Sequence, residues 1–185
     1  MTEPRIAPLT DPSPEVAALL DKTRISAGPP LNIFATLANH PRLLKRFNVL
    51  GGLFLGRGLL PARERELVIL RTGWRTRCEY EFGQHTLLGR RAGLTDEEIR
   101  RTTDESAEWP REDAALIRLA DEIAATHDVS DELWRDLSAR WNEAELLELV
   151  ALAGFYGMVS GVLNAARVRR EEGTPGWPEG GSPGR

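Results

Sequence analysis

Cys78, Glu81 and His85 stand at i, i+3 and i+7 in the segment Arg77-Cys78-Glu79-Tyr80-Glu81-Phe82-Gly83-Gln84-His85. If that segment is helical, all three side chains project from one face. A thiol, a carboxylate and an imidazole on one stripe can share a proton. Cys78 is the only cysteine in the chain. In the first turn of a helix, the exposed N–H groups, the dipole, and flanking Arg75 and Arg77 would all favour its thiolate, against an ordinary thiol value of about 8.5. The plainer alternative is a small buried hydrophobe, the usual state of a free cysteine. Glu81 and His85 are four apart and can meet, so the carboxylate could fix the imidazole tautomer and raise its basicity. The plainer alternative is a surface pair worth a few tenths of a kcal/mol. One Cys, one Glu and one His could ligate zinc. No second ligand cluster accompanies them, however, and the Glu-x-x-His spacing of di-iron bundles is absent, so no metal and no cofactor is expected. His40 and His127 sit at helix ends, where capping and charge at a C-terminus are their ordinary uses.

These groups need helices to position them, and helix signals follow one another along the chain without strand signals. Ser13-Pro14 opens a helix to about Ile25, an N-cap followed by proline at the first helical position. Gly28-Pro29-Pro30 breaks it. A short helix is expected near Ile33–Ala38, another from Pro41 to Leu55, and an amphipathic one over Ala62–Trp74. The connection Arg75-Thr76-Arg77 is tight, so the Cys78–Ala92 helix returns antiparallel to Ala62–Trp74. One carboxylate of Arg63-Glu64-Arg65-Glu66 could then turn inward. Glu66 is the better candidate, because it adjoins Leu67, Ile69 and Leu70 while Glu64 sits among charges. Further on, Thr95–Glu98 is a capping box opening a short helix to about Arg101. Arg111–Thr126 is strongly periodic, Ser130 caps the next helix, and a long apolar helix runs from about Glu143 to Arg169.

Size and composition fit one all-α domain. The chain has 185 residues, 41% apolar and 28% charged, with a net charge of −4, ordinary values for a globular domain with a real core. The basic residues form no tract, so nucleic acid is not an expected partner. A lone cysteine fits a reducing cytoplasm. Met1–Pro14 carries acidic residues and four prolines and has no apolar region of the signal-peptide kind. Leu146–Ala166 is long and apolar enough to resemble a membrane span, but Glu148 and the glycines Gly154, Gly157 and Gly161 favour a buried central helix or one at a subunit contact. No membrane partner is expected. Residues 1–12 and the Gly/Pro-rich 173–185 are expected to be loose ends around a domain over 13–172.

The order Arg65-Glu66, then Cys78-x-x-Glu81-x-x-x-His85, then Arg91-Ala92-Gly93-Leu94-Thr95-Asp96-Glu97-Glu98-Ile99, resembles the carboxymuconolactone decarboxylase family, which includes the alkylhydroperoxidase D-like proteins. Glu148-Leu149-Val150 through Gly154-Phe155-Tyr156-Gly157 to Asn164-Ala165-Ala166 is similar to that family's closing helix. The resemblance runs from about Leu31 to Arg169. It implies an all-helical alkylhydroperoxidase D-like bundle that assembles as a homo-oligomer, trimer or hexamer. The family's hydroperoxidase branch uses Cys-x-x-Cys, an upstream glutamate and a histidine. Carried over, Cys78 matches the first cysteine, Glu66 the glutamate and His85 the histidine, while Glu81 replaces the second cysteine. A peroxide-oxidised Cys78 would therefore need an external thiol. The decarboxylase branch implies proton transfer on a small organic acid or lactone. His85 would act as general acid/base, Glu81 and Glu66 would tune or relay, and Arg65, Arg71 and Tyr80 are the candidate substrate-binding groups. Cys78 would then be a pocket wall. A helical oligomer without catalysis is the third reading. Phe34, Phe54, Phe82, Trp74 and Tyr156 are candidate pocket residues, whereas Trp134 and Trp141 read as helix packing.

Overall fold

Ser13 begins the first helix as its spacing predicts: its side chain accepts a hydrogen bond from the Val16 N–H, and Pro14 takes the first helical position. The computed structural model describes residues 3–23 and 28–179, which hold nine helices and no strand. They are α1 (Pro14–Asp21), α2 (Asn32–Leu37), α3 (Pro41–Gly56), α4 (Ala62–Arg75) and α5 (Glu79–Arg91). After these come α6 (Asp96–Arg101), α7 (Arg111–Thr126), α8 (Asp131–Ser138) and α9 (Glu143–Ala166). The first helix stops at Asp21, and the expected end near Ile25 lies outside the described residues.

Side chains that satisfy the first N–H groups set several of the other boundaries. Thr95 and Glu98 form a reciprocal capping box on α6, Asn142 and Glu145 do the same on α9, and Ser130 caps α8. His40 Nδ1 accepts from the Leu43 N–H at the start of α3, a capping use.

The centre of the bundle is α4. Every residue from Glu66 to Trp74 is buried, and the helix packs against α5, α7 and α9. The long helix α9 is therefore not buried all round. Leu149, Leu152, Tyr156, Val159 and Leu163 face the core, while Leu147 is 71% and Met158 48% exposed. Gly154, Gly157 and Gly161 have open space where a Cβ would project. This helix is long and apolar enough to cross a membrane, and half of its most apolar window is buried inside the bundle.

The turn from α4 to α5 fixes the site. The Cys78 N–H donates to the Gly73 carbonyl at 2.8 Å and the Arg77 N–H to the Trp74 carbonyl at 3.0 Å. Arg77 occupies the left-handed region, φ 55°. This is a Schellman-type ending with an arginine at the position that usually takes glycine, at a cost of about 1–2 kcal/mol. It reverses the chain within three residues, so α5 runs back along α4. Cys78 becomes the N-cap of α5, not a first-turn residue as predicted.

The chain after α9 is ordered by contact with α5, contrary to the expected loose tail. Trp177 packs on Phe82 (ring centroids 4.9 Å) and edge-on to Trp74 (5.4 Å). Its backbone N–H donates to Glu79 at 3.3 Å. Gly83 is required there, because a Cβ would come within 2.2 Å of the Pro175 carbonyl oxygen. The N-terminal segment is tied down too: the Arg5 N–H donates to the Ala166 carbonyl and the Leu9 N–H to the Ala35 carbonyl, both at 2.9 Å. Residues 180–185 of the expected tail lie outside the described residues.

Candidate active site

Three side chains form a line through the interface of α4 and α5. Glu66, on α4, is fully buried, and its Oε2 lies 2.5 Å from His85 Nδ1. The other ring nitrogen, Nε2, lies 3.0 Å from Glu81 Oε1 on α5 itself. The imidazole is thus held by a carboxylate at each end, one from the neighbouring helix and one from its own, four residues earlier. Arg65 closes the chain: its Nε and Nη2 donate to Glu66 Oε1 at 3.1 and 3.0 Å. Antiparallel packing of α4 and α5 supplies the first carboxylate, and helical periodicity supplies the second.

The charges follow from this geometry. Burial alone would push His85 towards its neutral form, but Glu66 and then Glu81 more than offset it, and the group is pushed up from 6.5 to about 9. Burial likewise works against an ionised Glu66, yet His85 and Arg65 hold its carboxyl below the ordinary 4.5. At neutral pH the resting site contains an imidazolium whose Nδ1–H donates to an ionised Glu66, with Nε2 in ion-pair contact with Glu81.

A cavity of about 240 Å³ opens onto one end of this line. Glu81 and His85 form its polar wall, together with Tyr80, Gln84 and Tyr156. The opposite wall is largely apolar and comes from α2, α3 and α9, including Phe34, Phe47 and Phe155. Tyr156 stands edge-on to the His85 ring, with centroids 4.9 Å apart at 84°. The Tyr80 hydroxyl donates to Glu171 at 2.7 Å and accepts from the Ile33 N–H at 3.2 Å.

The predicted residues divide accordingly. Glu66, Glu81 and His85 come together. Tyr80 reaches the same cavity with its hydroxyl committed to Glu171. Arg65 does not line the cavity and instead pins Glu66. Arg71 is further removed: it is 3% exposed, grips both oxygens of Asp121 at 2.6 and 2.9 Å, and donates to the Thr102 carbonyl at 2.9 Å. Its charge is spent tying α4 to α7 and to the end of α6, so a substrate-binding role for Arg71 has no geometric support.

Of the candidate pocket aromatics, Phe34 and Tyr156 line the cavity, while Phe54, Phe82 and Trp74 belong to the packing around it. Trp141 is buried as expected of a packing residue, and Trp134 is 42% exposed. Gln84 and Glu171 were not singled out by the sequence reading. Gln84 could have been found from its position three residues beyond Glu81, but Glu171 sits in a segment with no periodic signal.

Cys78 departs from the activated-thiol expectation. Its side chain is fully buried and absent from the cavity wall. Burial first, and then the Glu81 carboxylate, push its thiol up to about 12, with Ser160 pulling weakly the other way. The Ser160 hydroxyl makes no hydrogen bond of good geometry, so its pull is small beside that of burial. A helix N-terminus cannot offset such desolvation here. An alkylating probe at pH 7 is expected to leave Cys78 unmodified in the native protein and to label it only after denaturation. Rapid native labelling, measured by mass spectrometry, would contradict this environment. Among the described residues, no group of three or more His, Cys, Asp and Glu is arranged to hold a metal ion.

The helical order matches the fold of alkylhydroperoxidase D-like structures. Residues 41–122 match the sequence model of the carboxymuconolactone decarboxylase family, a span from the start of α3 into α7 that contains Glu66, Glu81 and His85. Over that span the chain is similar to the family, and its fold is shared with alkylhydroperoxidase D-like structures. Among solved structures, an uncharacterised peroxidase-related protein from Silicibacter sp. TM1040 superposes with a TM-score of 0.80 at 18% identity, covering 94% of this chain and 97% of that one. An alkylhydroperoxidase AhpD core protein from Ralstonia eutropha JMP134, also peroxidase-related and uncharacterised, gives 0.75 at 21% identity, covering 92% and 95%. A variant of the debrominase Bmp8 in complex with 2,3,4-tribromopyrrole gives 0.76 at 14% identity, covering 90% and 91%. At these identities the likeness is one of fold. No curated protein matches the chain significantly.

Proposed function

We propose that this protein is a cofactor-free acid–base enzyme acting on a small organic acid or lactone, of decarboxylase, lyase or isomerase type. The observation that carries the reading is the placement of His85 between Glu66 and Glu81, with His85 and Glu81 at the cavity wall and Cys78 away from it. Glu81 is the base that meets substrate and takes and returns the proton, while the positively charged imidazolium behind it steadies the carboxylate. Glu66, fixed by Arg65, keeps the imidazole oriented and charged. A carboxylate on the substrate would find Lys22, a cationic side chain among the described cavity residues.

The thiol peroxidase reading requires a thiolate that meets peroxide. The burial of Cys78 and its raised pKa oppose this. Structural neighbours described as peroxidase-related share the fold, and one fold generally hosts more than one chemistry.

A panel of small organic acids and lactones, followed by product formation, tests the proposal. Glu81→Gln is expected to lower turnover by about 100-fold or more, the usual range for a removed acid–base group. Cys78→Ser is expected to keep it. If no member of the panel reacts and hydroperoxide is consumed by the parent but not by Cys78→Ser, the thiol reading replaces this one.

We also propose that the protein works as a homo-oligomer, in keeping with the trimer or hexamer that the family implies. Leu147 and Met158 on α9, with Val49, Leu50 and Leu53 on α3, leave apolar side chains 42–71% exposed, and such surfaces favour association. Sedimentation or light scattering decides between a closed oligomer and a monomer.

A further inference from the structure

Tyr156 is a polar group in the cavity wall that the proton relay leaves without a task. Its side chain is 3% exposed, and its ring is fixed edge-on against His85 and Phe155. Among the described residues its hydroxyl takes no hydrogen bond. Tyr80, on the same cavity, shows the contrast: its hydroxyl is engaged both as donor and as acceptor. Buried tyrosine hydroxyls normally find a partner. The unused donor lies beside the groups that move the proton, in a cavity otherwise walled largely by aromatic and aliphatic side chains.

We infer that the Tyr156 O–H is the hydrogen-bond donor for a carbonyl oxygen of the substrate, next to the Glu81–His85 pair. The substrate class that follows is a compact, largely apolar ring carrying a carbonyl, as in an unsaturated lactone or cyclic ketone. Its C–H adjacent to the carbonyl faces Glu81. This rests on the acid–base reading and names the part of the substrate that the site holds.

The step balances without an oxidant or reductant. Glu81 takes the proton from the carbon beside the carbonyl. The C–H electron pair becomes a carbon–carbon double bond, and the carbonyl π pair moves onto oxygen. Tyr156 donates its hydrogen bond to that oxygen, and the proton that Glu81 has taken is returned at carbon. Two features keep Tyr156 a donor throughout. Burial and the nearby Glu81 and Glu66 carboxylates hold its hydroxyl well above the ordinary phenol value. Its position is also fixed by ring packing before substrate arrives, so little reorganisation is needed as charge develops.

The test uses Tyr156→Phe, which removes one oxygen and keeps the ring packing, with cyclohex-2-enone as the probe. In the parent protein the infrared carbonyl band of the bound probe is expected below its position in Tyr156→Phe. Affinity by calorimetric titration is expected to fall about five- to tenfold in the variant, the scale of one buried hydrogen bond. Unchanged thermal unfolding of Tyr156→Phe certifies the fold. Equal band position and affinity in the two proteins would overturn the assignment, as would failure of the parent to bind the probe. Glu81→Gln separates this from the acid–base reading, because it should retain the shifted band while losing turnover. A shifted band that depends on Tyr156, in a protein that turns over no acid or lactone, would leave the hydrogen-bond assignment standing and remove the proposed activity.

Discussion

Glu66→Gln is expected to destabilise the fold by about 3–5 kcal/mol, the range for removing one partner of a buried ion pair. Glu66 has no solvent-exposed surface, and its two oxygens serve two cationic neighbours, Oε2 facing His85 and Oε1 facing Arg65. An amide has one acceptor oxygen and presents N–H groups on the other side. Whichever way the substituted amide were turned, either His85 or Arg65 would face a donor. The lost charge also leaves the imidazolium buried with Glu81 as its remaining carboxylate contact. For a chain of this size, the loss corresponds to a fall in melting temperature of roughly 10 °C. Urea denaturation at pH 7 measures it directly. A loss below about 1 kcal/mol would show that the Glu66–His85 contact is not the ionic one described above. Arg65→Ala should cost much less, because its side chain is 14% exposed and water can replace part of what it gives Glu66.

Glu66 and Glu81 illustrate how much of the site the sequence carried. Choosing Glu66 over Glu64 needed only the apolar neighbours of Glu66 and the expectation that a three-residue connection turns the chain back. Glu64 does point away, to Arg140 at 2.7 Å. The Glu81–His85 contact followed from helical spacing alone. Which ring nitrogen meets which carboxylate, and that Glu66 makes the shorter contact, depends on the rotation of α5 about its axis against α4. That rotation is set by packing, and no local pattern records it.

Cys78 shows a boundary effect. Moving it by one position, from the first turn to the N-cap, exchanges a dipole-activated thiol for a sealed one. Helix ends are where sequence reading is least sharp, and here the end is fixed by a left-handed Arg77 that no rule would prefer. Arg71 and Asp121 are fifty residues apart in sequence, so their pairing belongs to the tertiary fold. The same holds for Glu171 and Trp177. Their segment has the composition of a loose tail, yet one aromatic ring on Phe82 and one carboxylate shared by Tyr80 and Gln84 fasten it to α5. Composition describes what a segment could do alone, and here a neighbouring helix decides.

The buried relay also fixes how stability responds to alkali. His85 titrates near 6.5 in an unfolded chain and is pushed up to about 9 in the native one. Between those values the folded protein binds a proton that the unfolded chain has lost, so stability falls as pH rises. The contribution is fully present below pH 6.5 and is lost as pH rises through about 9. It amounts to about 3 kcal/mol. Glu66 gives the opposite arm: its carboxyl is held below the ordinary 4.5, so its contribution is present above that value and is lost as pH falls through the lowered native one. Both arms express the same Glu66–His85 contact. The stability maximum is therefore expected between about pH 4.5 and 6.5, below neutrality. Urea midpoints measured from about pH 5 to 10 should decline across the upper part of that range, mostly between 6.5 and 9. In His85→Gln the decline across that window should disappear, because the group that carries the extra proton in the native state is gone. A profile for the parent that is flat across that window, or one that rises, would mean that His85 is neutral in the native site. Glu81 would then face an imidazole instead of an imidazolium, and the base would lack the positive charge that the proposed chemistry places behind it.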